Sequence, residues 1–263
     1  MSLAGATGGT RRSAGRLTAI ATGLLLFAVF TALGVWQLER LSWKLDLIAQ
    51  VDARVRAAPA PPPGPRAWAE VTAGRDAYRH VRVSGTFEND RETLVQAVTE
   101  AGPGFWVMTP LRTDAGYVVL VNRGFVPQTA APQAARLAGL VTGPTTVTGL
   151  LRISEPHGGF LRANQPAAGR WYSRDVAAIA GARGVSQAAP YFIDADATPN
   201  RGGWPRGGLT VIRFHNSHLV YALTWFGLAG MVALWGAWPA VETARARRRA
   251  SGADLSPAHG SHS

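Results

Sequence analysis

The sequence predicts a membrane α+β protein in which two transmembrane helices, one near each end, flank a β-rich, mainly antiparallel extracytoplasmic domain with few helices. Two long uncharged runs stand near the ends of the 263-residue chain. Between them the apolar residues follow the period of two that is typical of strands. Charged residues make up only 16% of the chain, whereas an ordinary soluble domain has about 25%.

The first transmembrane helix is predicted over 17–38, a run of 22 residues without a charge between Arg16 and Glu39. At about 1.5 Å per residue such a helix is long enough to cross the hydrocarbon core. A cleavable signal peptide is the alternative, because 32–34 (Ala-Leu-Gly) forms an acceptable cleavage site. The run exceeds the apolar region of a signal peptide, about 7–15 residues, which favours an uncleaved anchor.

The second transmembrane helix is predicted over 215–240, where only His218 interrupts the apolar run 217–240. Trp235 and Trp238 near its end suit the aromatic belt at a membrane interface. Both spans are therefore expected to be anchored by residues at their ends.

Basic residues concentrate outside the two apolar runs. The tails 1–16 and 241–263 hold seven of the 27 Lys and Arg residues. The positive-inside tendency predicts that both tails are cytoplasmic, that the central segment lies outside and that the protein is multi-pass. We expect the net charge of +11 to serve topology and contact with membrane lipid, not nucleic acid, because no nucleic-acid-binding fingerprint is present. The tail 241–263 is predicted to be disordered.

The segment after the first run begins as a helix and changes to strands. Apolar residues at steps of three and four predict a helical extension over 39–58, and the proline-rich linker 59–66 should end it. The linker is interpreted as a stiff connector, with a polyproline ligand for a partner as the alternative.

The domain 67–214 should be β-rich. Its strand-like stretches are separated by Gly, Pro and Asp-containing turns, and they predict an antiparallel α+β or small barrel-like domain. One short helix is predicted over 174–182, and the candidate strands are 78–85, 93–98, 105–111, 117–122, 145–153 and 191–194.

The chain has no cysteine, which excludes disulfides, thiolate nucleophiles and thiolate metal sites. Copper delivery is poorly supported, because Met1, Met108 and Met231 are the only thioether donors. No hydrolase, zinc-protease or phosphate-loop motif is present, so the chain is expected not to be an enzyme. A membrane-tethered hydrolase is retained only as a weak alternative.

The outer ends of the two spans carry the candidate site residues. His218, Tyr221 and Trp225 share one helix face, and Gln37 and Arg40 should lie at the same depth on the first span. An imidazole inside a bilayer is costly without a partner. It therefore marks a functional site, or it makes a hydrogen bond to Gln37 or to a carbonyl that holds the two helices together. Trp36, on the face of Arg40, also fits an interfacial aromatic belt.

These helix ends and the stretches between them resemble the Surfeit locus protein one family, the cytochrome c oxidase assembly factors. The similarity runs in order from about residue 17 to residue 240. Ser217 departs from the family, which more often has an amide-bearing residue there. The matching stretches are GVWQLERLSWK, YRHVRVSGTF, GFWVMTPLRT, VLVNRGFVP, RWYSRDVAAIA, PNRGGWPRGG and NSHLVYALTWFGLA.

The resemblance implies a respiratory-chain protein of the bacterial plasma membrane or the mitochondrial inner membrane. A bacterial member with a periplasmic central domain is expected here. The resemblance also implies a chaperone that binds haem a transiently and assists its insertion into cytochrome c oxidase subunit I, with haem a synthase as a further partner. His218 matches the proposed iron ligand. Arg40 or Arg213 would neutralise a propionate. The remaining cofactor-binding candidates are Trp36, Gln37, Tyr221 and Trp225. The alternative is a cofactor-free membrane scaffold for oxidase subunits.

Overall fold

The computed structural model describes residues 7–159, 161–210, 212, 214 and 216–253. The chain divides into two units, a helical unit of 1–47 with 214–263 and a β-rich unit of 48–213. The predicted site residue Arg213 lies outside the described residues.

Two long helices dominate the chain outside the β-rich unit. Helix α1 spans Thr7–Arg56, and the last helix, α4, spans His218–Ala253 with Pro239 inside it. Both contain stretches long and apolar enough to cross a membrane, Leu17–Arg56 and His218–Ala246. Their apolar side chains are largely unburied by protein: Leu25 is 64% exposed and Val220 is 65% exposed. Such surfaces suit contact with lipid and do not suit the core helix of a soluble protein.

The predicted disordered tail is wrong over 241–253, because α4 continues to Ala253. This stretch is rich in Ala and Arg, which have high helix propensity, so an existing helix extends through it. The rest of the predicted tail, 254–263, lies outside the described residues.

The proline-rich linker is packed on the first strand of the β-rich unit. Ala60 forms a parallel bridge with Val81, in which the Ala60 N–H donates to the His80 carbonyl at 3.1 Å. Pro62 is buried, and the hydroxyl of Tyr191 donates to the Pro63 carbonyl. These contacts support the stiff-connector interpretation over a ligand left free for a partner.

The strands of the β-rich unit form a closed barrel. Their order is β1-β5-β6-β4-β3-β2, and β1 also pairs with β3. Within the described chain, β1, β5, β6, β4 and β3 therefore form a closed ring, and β2 lies outside it. The expectation of a small barrel-like domain is therefore confirmed. The strands are β1 His80–Phe87, β2 Thr93–Thr99, β3 Gly102–Thr113, β4 Val118–Pro127, β5 Pro144–Ile153 and β6 Ala188–Ala195.

The antiparallel prediction holds for five of the six strand pairings in the described chain. The exception is the parallel pair of β4 and β6, where Val121 lies opposite Ile193 and Asn122 lies opposite Asp194. Period-two patterning fixes which face of a strand is buried and leaves its direction open, so it could not predict this pair.

Strand β4 is the centre of the domain core. Val119 and Val121 belong to one buried cluster with Leu151 and Ile193, and Leu120 belongs to a second cluster on the other side. The second cluster includes residues of a short helix, α3, Val176–Ala182, which Asp175 caps by accepting the Ala178 N–H at 3.1 Å. Helix α2 is a single turn, Ala73–Asp76. A strand buried on both faces becomes a rigid support for the residues that follow it.

Candidate functional site

Small residues allow α1 and α4 to approach closely. Ala222 and Ala229, seven residues apart on α4, are almost fully buried. On α1, a Cβ added at Gly34 would lie 2.6 Å from Cε1 of Phe226. Small residues at a helix interface bring backbones together, which is the main way that apolar helices associate in lipid. This packing positions the polar residues that lie one turn further along.

His218 and Gln37 meet in this helix pair. Nδ1 of His218 lies 2.7 Å from Oε1 of Gln37, and the Gln37 side chain is only 9% exposed. An amide oxygen can only accept a hydrogen bond, so Nδ1 of His218 carries the proton and donates it. In the neutral form of a ring with its proton on Nδ1, Nε2 carries a lone pair. Within the described part of the chain, no hydrogen bond involves Nε2.

This arrangement is the one that metal-ligating histidines usually have. One ring nitrogen donates to an oxygen, which fixes the tautomer and the ring orientation, and the other nitrogen is available to a metal. The bond from His218 to Gln37 also joins the helices, as the alternative interpretation expected. The two roles are compatible because they use different nitrogens of the ring.

Two cations of α1 follow Gln37, the predicted Arg40 and, one turn further, Lys44. Arg40 is exposed, and its guanidinium lies over the ring of Trp43 on the same helix, 4.5 Å from the centroid. Nζ of Lys44 lies 5.7 Å from the ring centroid of Phe214. Arg40 therefore stands at the surface of the helical unit, where a guanidinium remains accessible to an anionic group.

The predicted aromatic residues are divided in the same way. Trp225 is half-buried and stacks on Phe30 of α1, with ring centroids 5.8 Å apart and an angle of 25° between the planes. Trp36 and Tyr221 are exposed, and neither forms a ring contact with another described residue. Trp225 therefore packs the two helices together, and Trp36 and Tyr221 present free aromatic surface.

The sequence interpretation missed Phe30, Gly34 and Phe226 as the packing that holds the site. The signal that predicts them is the spacing of Ala222 and Ala229, because small residues seven positions apart mark the interface face of a helix. The residues of α1 that pack against that face are Phe30 and Gly34.

A second polar cluster lies in the β-rich unit around Asp194. The predicted strand 191–194 ends at Asp194, which lies on β6 and is buried. It accepts hydrogen bonds from Asn122 at 2.8 Å, from Arg152 at 2.8 Å and from Arg174 at 3.1 Å.

The charges around Asp194 compensate one another. Arg174 also pairs with Glu155, so two cations face two carboxylates. Burial alone would lower the pKa of Arg174, but Glu155 and Asp194 outweigh it and raise this pKa above its usual value. Because each charge has a partner, the cluster links β5, β6 and the segment before α3 without offering an open ligand position.

The chain is similar to known proteins over most of its length. The SURF1 family profile matches residues 24–230, which include Gln37 and His218. The chain is 37% identical over 229 residues to Surfeit locus protein 1 of Mus musculus, covering 81% of this chain and 72% of that relative.

Two further relatives support the same assignment. Surfeit locus protein 1 of Homo sapiens is 36% identical over 230 residues, covering 81% of this chain and 74% of its own length. A SURF1-like protein of Monosiga brevicollis is 39% identical over 219 residues, covering 77% of this chain and 80% of that relative. The family match begins within α1, includes the whole barrel and ends in the first part of α4, and the chain therefore belongs to the SURF1 family.

Proposed function

We propose that this protein is an assembly factor for haem–copper cytochrome c oxidase. It holds haem a at the extracytoplasmic edge of the membrane and assists its insertion into subunit I. The observation that carries the proposal is the hydrogen bond between His218 and Gln37. It leaves Nε2 of His218 available at the start of α4. Membership of the SURF1 family supports the link to oxidase assembly.

His218 is the proposed iron ligand and Gln37 is its positioning residue. Haem iron accepts a neutral imidazole nitrogen as an axial ligand. By accepting the hydrogen bond from Nδ1–H, Gln37 favours the tautomer with the lone pair on Nε2 and limits rotation of the ring. A bond of 2.7 Å between groups partly withdrawn from water restricts the ring more than water would.

The exposed residues of the helical unit have supporting roles in this proposal. The planar guanidinium of Arg40 suits paired hydrogen bonds to a propionate. Trp36 and Tyr221 present aromatic surface to a porphyrin, and Trp225 supports the helix pair through Phe30. A role for Arg213 rests on its position in the sequence alone.

The proposed location is the plasma membrane of a bacterium. Both tails would be cytoplasmic and the barrel periplasmic, as the basic residues of the tails favour. Exposed Trp235 and Trp238 would then lie near the cytoplasmic interface. The long isoprenoid tail of haem a favours lipid, so a site at the membrane edge suits this ligand.

The proposed partners are cytochrome c oxidase subunit I and haem a synthase, together with membrane lipid. The protein is proposed to hold and transfer haem without catalysing a reaction on it. It is not proposed to bind nucleic acid, because the sequence has no nucleic-acid-binding fingerprint.

The test uses a strain that lacks the gene for this chain. The unchanged chain, His218→Ala or the exposed control His157→Ala is expressed in this strain. Haem a in oxidase subunit I is then measured at equal amounts of the factor in membranes. The unchanged chain and the control are expected to restore haem a, and His218→Ala is not. Full restoration by His218→Ala would remove His218 from the mechanism and favour the cofactor-free scaffold.

A further inference from the structure

Arg123, on β4, is a deeply buried arginine that forms no ion pair. The residue is only 3% exposed to solvent. The similarly buried Arg136 pairs with Glu92, and Arg174 pairs with Glu155 and Asp194. Among the described residues no carboxylate lies within 4.0 Å of the Arg123 guanidinium. Arg123 therefore differs from the other buried cations of the domain.

The guanidinium of Arg123 also has hydrogen-bonding capacity to spare. It offers five N–H groups, and within the described chain it donates two hydrogen bonds. One goes to the carbonyl of Gly139, and the other goes to Oδ1 of Asn89 at a long 3.4 Å. Its plane lies over the ring of Phe87, 4.9 Å from the centroid. Three N–H groups of a buried cation are thus left for another acceptor.

The electrostatic surroundings of Arg123 disfavour its charge. Burial lowers the pKa of Arg123 to about 10, while the negative charge of Glu92 opposes the decrease and the positive charge of Arg136 adds to it. The side chain is still protonated at neutral pH. A buried charge that nearby groups do not neutralise is stabilised by any anion that can reach it.

A cavity of about 180 Å³ gives access to Arg123. This volume is several times the volume that one molecule occupies in liquid water, about 30 Å³. Its wall combines apolar and polar residues, namely Phe87, Val121, Arg123, Val141, Thr145, Thr146, Val147, Thr148, Ala195, Asp196, Thr198, Pro199 and Asn200. The volume suits a molecule of a few heavy atoms with an apolar part and one charged group.

Asp196 limits the charge of the ligand. It also lines the cavity, and its Oδ1 accepts the Thr198 N–H at 2.9 Å. A carboxylate in the same wall repels anions, and it repels a doubly charged anion more strongly than a singly charged one. A planar carboxylate also matches the fork of a guanidinium.

We propose that this cavity is a binding site for a small monocarboxylate, which Arg123 holds through its free N–H groups. The apolar wall formed by Phe87, Val121 and Val147 accommodates a short hydrocarbon part. The site lies within the barrel and is independent of any haem bound in the helical unit.

The test is calorimetric titration of the full-length protein in detergent with sodium propionate, with propionamide as the uncharged analogue. We expect propionate to bind and propionamide to bind at least about tenfold more weakly, which corresponds to about 1.4 kcal/mol. Arg123→Gln should weaken propionate binding by a similar factor. Arg112→Gln, which removes an exposed arginine of β3, should leave it unchanged.

Asp196→Asn provides a test that does not remove the buried arginine. The substitution keeps an oxygen that can accept the Thr198 N–H, and it removes the repulsion. It should therefore tighten propionate binding severalfold and increase binding of inorganic phosphate even more. The proposal is overturned if the folded protein binds no propionate, if propionamide binds equally well, or if Arg123→Gln binds propionate as the unchanged protein does.

Discussion

Nδ1 of His218 on α4 lies 2.7 Å from Oε1 of Gln37 on α1, although 181 residues separate them in the chain. Each side chain satisfies a polar group of the other where both helices are otherwise apolar. Since the amide oxygen accepts, the bond also sets the tautomer of the imidazole. One contact thus joins the two helices and prepares Nε2 of His218 for a ligand.

Gln37→Leu should weaken haem retention without removing the ligand itself. The imidazole would lose the acceptor that fixes its tautomer and orientation, and loss of such a partner usually weakens metal binding about 10–100-fold. Haem titration of the purified protein measures the effect. Gln37→Glu keeps an acceptor and should recover part of the haem affinity. The control Gln50→Leu, at an exposed position of α1, should leave the haem affinity unchanged. Equal haem affinity in Gln37→Leu would show that Gln37 does not position His218.

Gly34→Val should separate α1 from α4. An added Cβ would lie 2.6 Å from the ring of Phe226, so the ring or the helix must move, at a cost of about 1–3 kcal/mol. Gly23→Val is the matched control, because nothing lies within 4 Å of a Cβ at Gly23. Thermal unfolding in detergent should show a lower Tm for Gly34→Val alone. If both variants unfold at the same temperature, the close helix contact is not formed.

Asp76→Asn should destabilise the β-rich unit in a pH-dependent manner. Burial alone would raise the pKa of Asp76, but the Thr72 N–H and the guanidinium groups of Arg79 and Arg75 hold it below its usual range. We expect a loss of about 1–3 kcal/mol at neutral pH, because both arginines are partly exposed and water screens them.

The pH dependence of this loss has a definite sign. A carboxylate with a depressed pKa stabilises the fold above its unfolded pKa, about 3.9, and loses that contribution as the pH falls toward the folded value. Urea unfolding at several pH values should therefore show the two proteins converging in acid. The exposed control Asp114→Asn should show a much smaller difference at every pH. A difference that grows as the pH falls would contradict the assignment.

Asp194→Ala should be among the most destabilising substitutions in the barrel. It would leave Arg152 and Arg174 without their shared carboxylate, and breaking a buried ion pair in this way costs about 3–5 kcal/mol. Denaturant unfolding, followed by tryptophan fluorescence, measures the change. Asp196→Asn, two residues further and half-exposed, should cost much less. Equal stability of the two variants would mean that the cluster does not hold the strands together.

The local elements were predictable because their patterns are local. The alternation in β1 places Val81 and Val83 inside the barrel, and the side chains between them face outward. The contact of Gln37 with His218 was also accessible, because the two apolar runs fix the depth of both residues in a membrane. Such features need only the sequence and the period of a helix or strand.

Features that depend on partners distant in the chain were not predictable. The parallel pair of β4 and β6 requires β5 to pair on the far side of β6, and no pattern within one strand encodes that choice. The ion pairs of Asp194 join residues from β5, β6 and the segment before α3. Similarly, the charge of Arg123 was visible, but its lack of a carboxylate partner emerges only after folding.

The most direct test of the proposed function is the reduced-minus-oxidised absorption spectrum of the purified protein, produced together with the enzymes of haem a synthesis. The unchanged protein and the exposed control His157→Ala are expected to show the α-band of haem a. His218→Ala, folded and present in equal amount, is expected to lack it. A band of unchanged intensity in His218→Ala would contradict the assignment of the ligand, and its absence from all three folded samples would contradict haem binding itself.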